Sequence, residues 1–492
     1  MNARWRGRAL WWVLLAVVLA AGAYAAVRYR SAHAFEPAGL TPDSPEVDAL
    51  RRAAADANIV LVVLDAVRAD HVGCYGYPRE TTPNIDRLSQ SAVVFEKHFS
   101  QSSETKSSTA SLLTSQYCDT HLSDGPRGLL DGTFTLEQGL SRAGLRTAVF
   151  SSNLKVSPAF GLGTDFDHQE CDAELMPRTR AGERWTQPEV LVRAFRAWLE
   201  GQHGKPFFAY LHFMPPHTPY AQPEEMTALF RGLGPVNFEP GDYEFPEPPR
   251  PVRPTPPPLP EWINLYDANL RYGDWAVGEV EQVLREFGLF DDTLFIVTSD
   301  HGEGFGEHGY VWHGRGVYDD NTHIPLVVRF PGGESGGRRI PTLSQTIDLY
   351  PTILDLLRGE YPRNGAQGRS LVPVIAGLAD GVHECVFARA GGPPSKYLVR
   401  SPSHSLVLWE NAKWRALYDL RSDPGQRRNV IDQHPDLAED LVAVFREFAE
   451  EQRRPPRDFL DPDAEMAPLP SAPLPELTPE QEKHLQNMGY LL

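Results

Sequence analysis

Thr293-Leu-Phe-Ile-Val-Thr-Ser-Asp300-His301-Gly-Glu-Gly-Phe-Gly-Glu-His308-Gly, running on through His313 to Pro325, decides how the rest of the chain is read. Leu294 to Val297 is an apolar run with β-branched residues, so it reads as a buried strand. Asp-His follows at once, then glycines at 302, 304 and 306. In an open α/β sheet, chemistry sits in the loop beyond a strand's carboxyl end. A carboxylate beside an imidazole suits a hard-to-borderline divalent metal. A lone Asp-His is as often a polar turn after a core strand, but this loop adds His308 and His313. So many ionisable groups among glycines point to a metal-assisted site.

A second run matches the first. Asn58-Ile-Val-Leu-Val-Val-Leu-Asp65 is continuously apolar and ends in an acid. Strands buried on both faces of a parallel sheet look like this. Asp65 then sits at a strand's carboxyl end, as Asp300 does, although an isolated Asp there more commonly caps a following helix. Ser100 to Thr109 is rich in hydroxyls and leads into Ala110-Ser-Leu-Leu-Thr114. A helix starting near Thr105 would aim its amide dipoles at an anion on that residue.

Between these runs strand-like and helix-like segments alternate, so the fold class is α/β with a large sheet between helices. Arg146 to Phe150 and Pro206 to His212 read as strands, and Val190 to Leu199 as an amphipathic helix. The second of those strands runs into Phe213-Met-Pro-Pro-His217-Thr-Pro-Tyr, where three prolines fix the backbone around His217. Residues 221–260 are dense in proline and read as an extended surface insertion. Tyr266 to Leu289 reads as a long helix, Ile324 to Phe330 as a strand and Ile347 to Leu357 as a helix. Three shorter strands (Lys396 to Val399, Ser405 to Trp409, Ala416 to Leu420) suggest a small second sheet. An acidic helix from Asp436 to Glu451 and a Pro-rich acidic tail follow.

Composition sets the outer limits. At 492 residues the chain has room for a large domain and a smaller one. A formal charge of −18 argues against a nucleic-acid binder, because a phosphate backbone repels such a surface. Cys74, Cys118, Cys171 and Cys385 have no zinc-knuckle spacing and no dense disulfide pattern, though one or two disulfides fit an exported chain. Arg4, Arg6 and Arg8 precede an uncharged run from Ala9 to Val27, closed by Arg28 and Arg30. As a helix that run spans ~28 Å, about one bilayer core. It is read as an uncleaved signal anchor over residues 1–30, with Ala23-Tyr24-Ala25 offering signal-peptidase cleavage as the alternative. Residues 31–57, with Pro37, Pro42 and Pro45, read as a tether, and the catalytic domain is expected outside the cytoplasm.

Five segments in order carry a resemblance to a known family. They are Asn58 to Asp65 continued as Ala-Val-Arg-Ala-Asp-His-Val-Gly-Cys-Tyr-Gly; Thr105-Lys-Ser-Ser-Thr-Ala-Ser-Leu-Leu-Thr114; and His212-Phe-Met-Pro-Pro-His217-Thr-Pro-Tyr. The fourth is Thr298 to Pro325, and the fifth Leu417-Tyr-Asp-Leu-Arg-Ser-Asp-Pro-Gly-Gln. From about Asn58 onward the chain resembles the sulfatase family of the alkaline phosphatase superfamily. The resemblance implies a large mixed sheet sandwiched by helices over 58–382, a small antiparallel-sheet subdomain over 383–460, and a tail over 461–492.

The departures from the family pattern carry the most information. A sulfatase carries Cys-x-Pro-Ser-Arg, whose cysteine or serine becomes the formylglycine nucleophile. Aligned without gaps, that motif falls on Thr105-Lys106-Ser107-Ser108-Thr109, so threonine holds the nucleophile position. Its Cβ methyl bars conversion to formylglycine. Threonine is instead the nucleophile in related nucleotide pyrophosphatases, phosphoethanolamine transferases and lipoteichoic-acid synthase, which act on phosphate diesters. Sulfatases also place two aspartates after the first strand and Asp-Asn after the later one, an oxygen-rich set for Ca²⁺. Here the pairs are Asp65-Ala66 and Asp300-His301. The resemblance thus implies one divalent metal on Asp65, Thr105, Asp300 and His301, with Zn²⁺ or Mn²⁺ favoured over Ca²⁺. Thr105 would be the nucleophile, and His217 or His313 would protonate the leaving alcohol.

Three functions compete on this basis. The first is a phosphate-ester hydrolase or transferase. The second is a sulfate-ester hydrolase using unmodified threonine, and the third a catalytically weak relative that serves as a binding protein. The implied partners are an ester substrate and, through the anchor, a membrane; the residues name no oligomeric state.

Overall fold

The computed structural model describes residues 40–123, 129, 133–171, 187–201, 204–220, 222–234, 236, 258–358, 366–391, 395–410 and 414–452. The signal-anchor run, most of the Pro-rich insertion and the tail lie outside the described residues. Among the described residues no helix is long and apolar enough to cross a membrane.

Eight strands form one mixed sheet. In chain order they are β1 (Asn58–Leu64), β2 (Val93–Phe99), β3 (Arg146–Ser151), β4 (His168–Glu170), β5 (Phe207–Phe213), β6 (Thr293–Ser299), β9 (His323–Arg329) and β10 (Arg338–Gln345), and across the sheet β10-β2-β9-β6-β1-β5-β3-β4. The two-residue strands β7 (Gly304–Phe305) and β8 (Val311–Trp312) pair separately as a small hairpin.

The expected doubly buried run is β1, at the middle of the sheet between β5 and β6 and parallel to both. Strand side chains alternate between faces, and both faces of β1 are covered. Ile59, Leu61 and Val63 join a core with helices α1 (Pro45–Ala54), α3 (Thr105–Thr114), α4 (Leu136–Arg142) and α7 (Leu349–Leu356). Val60, Val62 and Leu64 join another with α2 (Pro83–Ser89), α5 (Pro188–Glu200) and α6 (Leu259–Glu286). Fully burying one such side chain stabilises by about 1.5–3 kcal/mol, so a polar residue anywhere in β1 would be costly.

Register places the chemistry. Leu64 lies opposite Phe213 on one side and Ser299 on the other, so Asp65 and Asp300 leave the sheet next to each other. β2 is antiparallel to β9, which is antiparallel to β6, so β2 runs in the direction of β6 and delivers Ser100 to Thr105 to the same edge.

The second sheet is an antiparallel meander of β11 (Val386–Ala390), β12 (Lys396–Arg400), β13 (His404–Trp409) and β14 (Arg415–Asp419). Helix α8 (Pro435–Glu450) packs on one face. The other face packs on Val317 and Tyr318, from the loop that follows His313. The small sheet therefore braces the loop that carries His308 and His313.

Four expectations need correcting. Residues 221–260, read as an extended insertion, contain a helix at Glu224–Phe230, whose first turn follows Pro223 and whose Phe230 is buried. Residues 45–54, read as part of a tether, form α1: Ser44 caps it and Pro45 takes the first turn, where a missing N–H costs nothing. Val47, Leu50 and Ala54 enter the core, and buried Arg51 pairs with buried Asp355 at 2.6 Å. α6 begins at Leu259 rather than Tyr266, because Pro260 also occupies a first turn. None of the four cysteines is in a disulfide.

Candidate active site

Asp65 Oδ2 is taken up within the protein. Asn153 Nδ2 donates to it at 2.7 Å, and His212 Nε2 lies 3.1 Å away. Asp65 Oδ1 is buried with no hydrogen-bond partner. Asp300 repeats the pattern: its Oδ1 accepts from the backbone N–H groups of Ala66 (3.1 Å) and His301 (2.9 Å), while Oδ2 is buried without a partner. An orphaned carboxylate oxygen is costly in a dry interior, and two side by side more so.

His301 points at both. Its Nδ1 sits 2.8 Å from the Gly302 carbonyl, so Nδ1 carries the proton and the Nε2 lone pair faces inward. From Nε2 the distances are 3.2 Å to Thr105 Oγ1, 3.5 Å to Asp300 Oδ2 and 3.6 Å to Asp65 Oδ1. Ligands held about 2.0–2.2 Å from a tetrahedral ion lie roughly 3.3–3.6 Å from one another. The three spacings from His301 Nε2 are compatible with a tetrahedral cation, and two carboxylates, a hydroxyl and an imidazole are donors such an ion takes. Asp65, His212 and Asp300 also each place one ligand atom within 4.8 Å of the others. His212 is better suited to orienting Asp65, since its Nε2 faces the oxygen that Asn153 already occupies and its Nδ1 lies 3.1 Å from the Tyr210 hydroxyl.

Burial opposes charge on Asp65, but His217, His212 and His301 outweigh it and hold the carboxyl far below its usual range. Burial likewise opposes charge on His301 and His212, and the neighbouring carboxylates raise both. The site sets two buried carboxylates among imidazoles.

Thr105 is the first residue of α3, and all ten residues of that helix are buried. Other hydroxyls nearby have separate tasks: Ser107 donates to the Ser123 carbonyl and Ser108 to the Asp300 carbonyl. The preceding residue, Glu104, is ion-paired with Lys155 at 2.9 Å, and Lys155 holds its carboxyl below the usual range.

His217 and His313 meet above the carboxylates, Nε2 to Nε2 at 3.3 Å, and His313 stacks on His301 with ring centroids 4.5 Å apart. The Thr218 carbonyl accepts from His217 Nδ1, which leaves His217 Nε2 an acceptor and makes His313 Nε2 the donor. His313 Nδ1 then takes its hydrogen bond from Glu303 Oε1 at 3.1 Å. That requires a protonated Glu303, and burial pushes this carboxyl up to about 8. Burial also lowers His217, and takes His313 down to about 3.

Asp65, Thr105, Asp300, His301, His217 and His313 lie together at this edge of the sheet. His308 does not join them. It stacks on Tyr318 with centroids 3.7 Å apart and spans Asp320 Oδ2 and the Gln426 carbonyl, each at 3.1 Å, so it ties the loop to the small domain. His212, Asn153, Lys155 and Glu303 were not singled out from the sequence; the signal available was their position just at or beyond the ends of β5, β3 and β6. Gly302 is explained by close approach, as a Cβ there would lie 2.1 Å from the Asp320 carbonyl oxygen, and Gly306 by its left-handed φ of +105°.

Buried acids at the carboxyl edge of a mixed sheet, with a hydroxyl on a helix start and imidazoles nearby, are the arrangement of an α/β hydrolase whose buried donors could hold a metal ion. The sequence model of the sulfatase family matches residues 57–360, and that of the N-sulphoglucosamine sulphohydrolase C-terminal region matches 306–453. The chain belongs to the sulfatase family. Human N-sulphoglucosamine sulphohydrolase is 30% identical over 62% of this chain and 63% of that protein. A multifunctional alkaline phosphatase superfamily protein from Trinickia caryophylli is 25% identical over 65% of this chain and 77% of the relative. Arylsulfatase K of Danio rerio aligns over only 37% of its own length, at 29% identity over 38% of this chain. Among solved structures, the phosphonate monoester hydrolase of Agrobacterium radiobacter superposes with a TM-score of 0.64 at 20% identity, covering 80% of this chain and 95% of that one. The phosphonate monoester hydrolase of Silicibacter pomeroyi gives 0.65 at 23%, covering 82% and 97%.

Proposed function

We propose that the chain is a metal-dependent hydrolase of phosphoryl-type esters with Thr105 as nucleophile. One observation carries the reading: Thr105 Oγ1 stands 3.2 Å from His301 Nε2, which also faces two buried carboxylate oxygens that have no hydrogen-bond partner. Asp65, Thr105, Asp300 and His301 would hold a divalent ion, which supplies the charge that lowers the hydroxyl's pKa and offsets charge developing on the phosphoryl oxygens. Thr105 Oγ1 forms a bond to phosphorus as the bond to the ester oxygen breaks. His313 Nε2–H goes to that leaving oxygen as the protonated Glu303 passes its own proton to His313 Nδ1, and His217 orients the His313 ring. Water then cleaves the phosphothreonine. The names of two fold neighbours, both phosphonate monoester hydrolases, agree with this chemistry.

A second reading, sulfate-ester hydrolysis by unmodified threonine, is favoured by the 30% identity to the human sulphohydrolase. Turnover of bis-aryl phosphate, aryl phosphonate and aryl sulfate, each with added Zn²⁺, Mn²⁺ or Ca²⁺, separates the two. Fastest turnover of the sulfate would overturn the phosphoryl preference, and no turnover of any ester would support a binding role. The catalytic domain is placed outside the cytoplasm on the strength of Ala9 to Val27. An alkaline phosphatase fusion after residue 40 should then be active in cells, and an inactive fusion would refute the placement.

A further inference from the structure

Glu104 is an odd neighbour for a nucleophile that attacks an anionic ester. It directly precedes Thr105, and a carboxylate there repels the oxygens of the group under attack. Nor does it serve the helix. Glu104 holds the N-cap position of α3, but its side chain makes no capping hydrogen bond. The carboxylate is turned instead to Lys155 Nζ, 2.9 Å away.

Lys155 belongs to the turn beyond β3 that supports Asp65. Its backbone N–H donates to Asn153 Oδ1 at 3.0 Å, and Asn153 Nδ2 donates to Asp65 Oδ2. The ion pair therefore joins the start of the nucleophile's helix to the turn that holds Asp65. Both charges also reach His313. Burial chiefly lowers the His313 pKa and Lys155 adds to it, while Lys155 chiefly lowers that of Glu104 and His313 adds to it. Asp65, His212 and His301 are shut off from solvent, whereas the Glu104 side chain is 27% exposed, against 10% for Lys155 and 11% for His313. The pair thus borders the reaction centre on its solvent side, where an ester must enter.

We infer that Glu104 sets the charge of the ester this site accepts, admitting monoanions and turning away dianions. The admitted class is phosphate diesters, phosphonate monoesters and sulfate monoesters; the class turned away is phosphate monoesters. This rests on the ester-cleaving reading with Thr105 as nucleophile. Lys155 brings one positive charge to the entrance and Glu104 cancels it, so a second negative charge on the ester finds no cation there to offset it. The carboxylate acts on a dianion twice as strongly as on a monoanion. The sign does not depend on which partner stands nearer the phosphorus, because removing a negative charge favours the more negative ester in either case. For a charge about 10 Å away at an effective dielectric of about 20, the difference is about tenfold.

The test compares nitrophenyl phosphate with its methyl diester at pH 8, above the second phosphate pKa of about 6, so that the two esters share a leaving group and differ by one charge. The metal-supplemented full chain is assayed with its Glu104→Gln, Lys155→Gln and double variants. The wild type should turn over the diester faster. Glu104→Gln should raise the ratio of kcat/KM for monoester over diester about tenfold, Lys155→Gln should lower it about tenfold, and the double variant should return within about threefold of the wild type. A merely structural role would move both esters alike. An unchanged or lowered ratio in Glu104→Gln, shifts of the same sign in the two single variants, or a wild type faster on the monoester would overturn the assignment. If only nitrophenyl sulfate turns over, the phosphoryl reading fails, and the same ratios are read from competitive inhibition of that reaction by phenyl phosphate and its methyl diester. If no ester turns over, calorimetric binding of those two ligands to the chelated and the metal-loaded protein decides: a preference for the dianion raised in Glu104→Gln supports the assignment, and any other result, absence of binding included, refutes it.

Discussion

Replacing Asp300 by Asn separates the metal-binding role of this residue from its structural one. Oδ1 accepts from the N–H groups of Ala66 and His301, and an amide oxygen keeps both bonds. Oδ2, the atom with no partner, becomes an NH₂ group 3.5 Å from the His301 Nε2 lone pair. It then donates to His301 and cannot ligate a cation. Saturation of the wild type at about 100 times Kd should stabilise it by about 2.7 kcal/mol. Unfolding entropy scales with length, and 492 residues give about 1 kcal/mol per kelvin, so the melting point should rise by about 3 °C. Losing one anionic ligand at an effective dielectric of about 20 costs on the order of 4 kcal/mol of attraction, or roughly a thousandfold in affinity. At the same metal concentration Asp300→Asn should gain only about 0.1 kcal/mol, too little for a measurable shift. Without metal the order should reverse, with the variant melting at or above the wild type because one of two neighbouring buried carboxylates has lost its charge. Scanning calorimetry of both proteins, chelated and then titrated with Zn²⁺, Mn²⁺ and Ca²⁺, reads all four states. An equal metal-induced rise in both proteins, or none in the wild type with any ion, would refute the assignment.

Thr105→Ala should reduce turnover by several powers of ten, each about 1.4 kcal/mol of barrier, while Thr105→Ser keeps part of it; wild-type turnover by the alanine variant would remove Thr105 as nucleophile. Glu137, buried near the start of α4 with Oε2 unpartnered, has its pKa pushed up by burial from 4.5 to about 7. The folded state then holds this proton more tightly than the unfolded chain, so the contribution is fully present below pH 4.5 and lost as pH rises through 7. Urea denaturation at pH 4.5 and pH 8 should show Glu137→Gln gaining on wild type between the two by about 3 kcal/mol, and a pH-independent difference would count against the shift. Arg51→Met leaves Asp355 charged in the core and should cost about 3–5 kcal/mol in the same measurement; a loss under 1 kcal/mol would mean that α1 is held by its apolar residues alone.

Residues at strand ends were legible because a continuous apolar run announces both a doubly buried strand and the point where it stops. β1 and β6 are such runs, and Asp65 and Asp300 follow from where they end. The edge of the sheet lacks that signal. β10 reads Arg-Arg-Ile-Pro-Thr-Leu-Ser-Gln, and β2 carries half-exposed Glu96 and Lys97 in its middle. Both strands shift register there, β10 between Ile340 and Leu343, which accommodates a proline that cannot donate to a ladder. α1 was hidden for a related reason, since prolines at 37, 42 and 45 suggest a linker although Pro45 starts a helix.

Imidazoles in loops raise a different difficulty. His308 and His313 lie five residues apart in one glycine-rich loop, yet one braces the small domain and the other meets His217. A loop has no period, so spacing along it carries no information about which way a side chain turns. What separates the two is the partner each finds across the fold: Tyr318 and Gln426 for His308, Glu303 and His217 for His313. The same holds for His212, whose importance comes from the Asp65 oxygen that it and Asn153 occupy together. By engaging Oδ2 they leave Oδ1 free to face the site. The two orphaned oxygens are thus a consequence of these neighbours as much as of the aspartates, and replacing Asn153 or His212 should change metal affinity with every proposed ligand still in place.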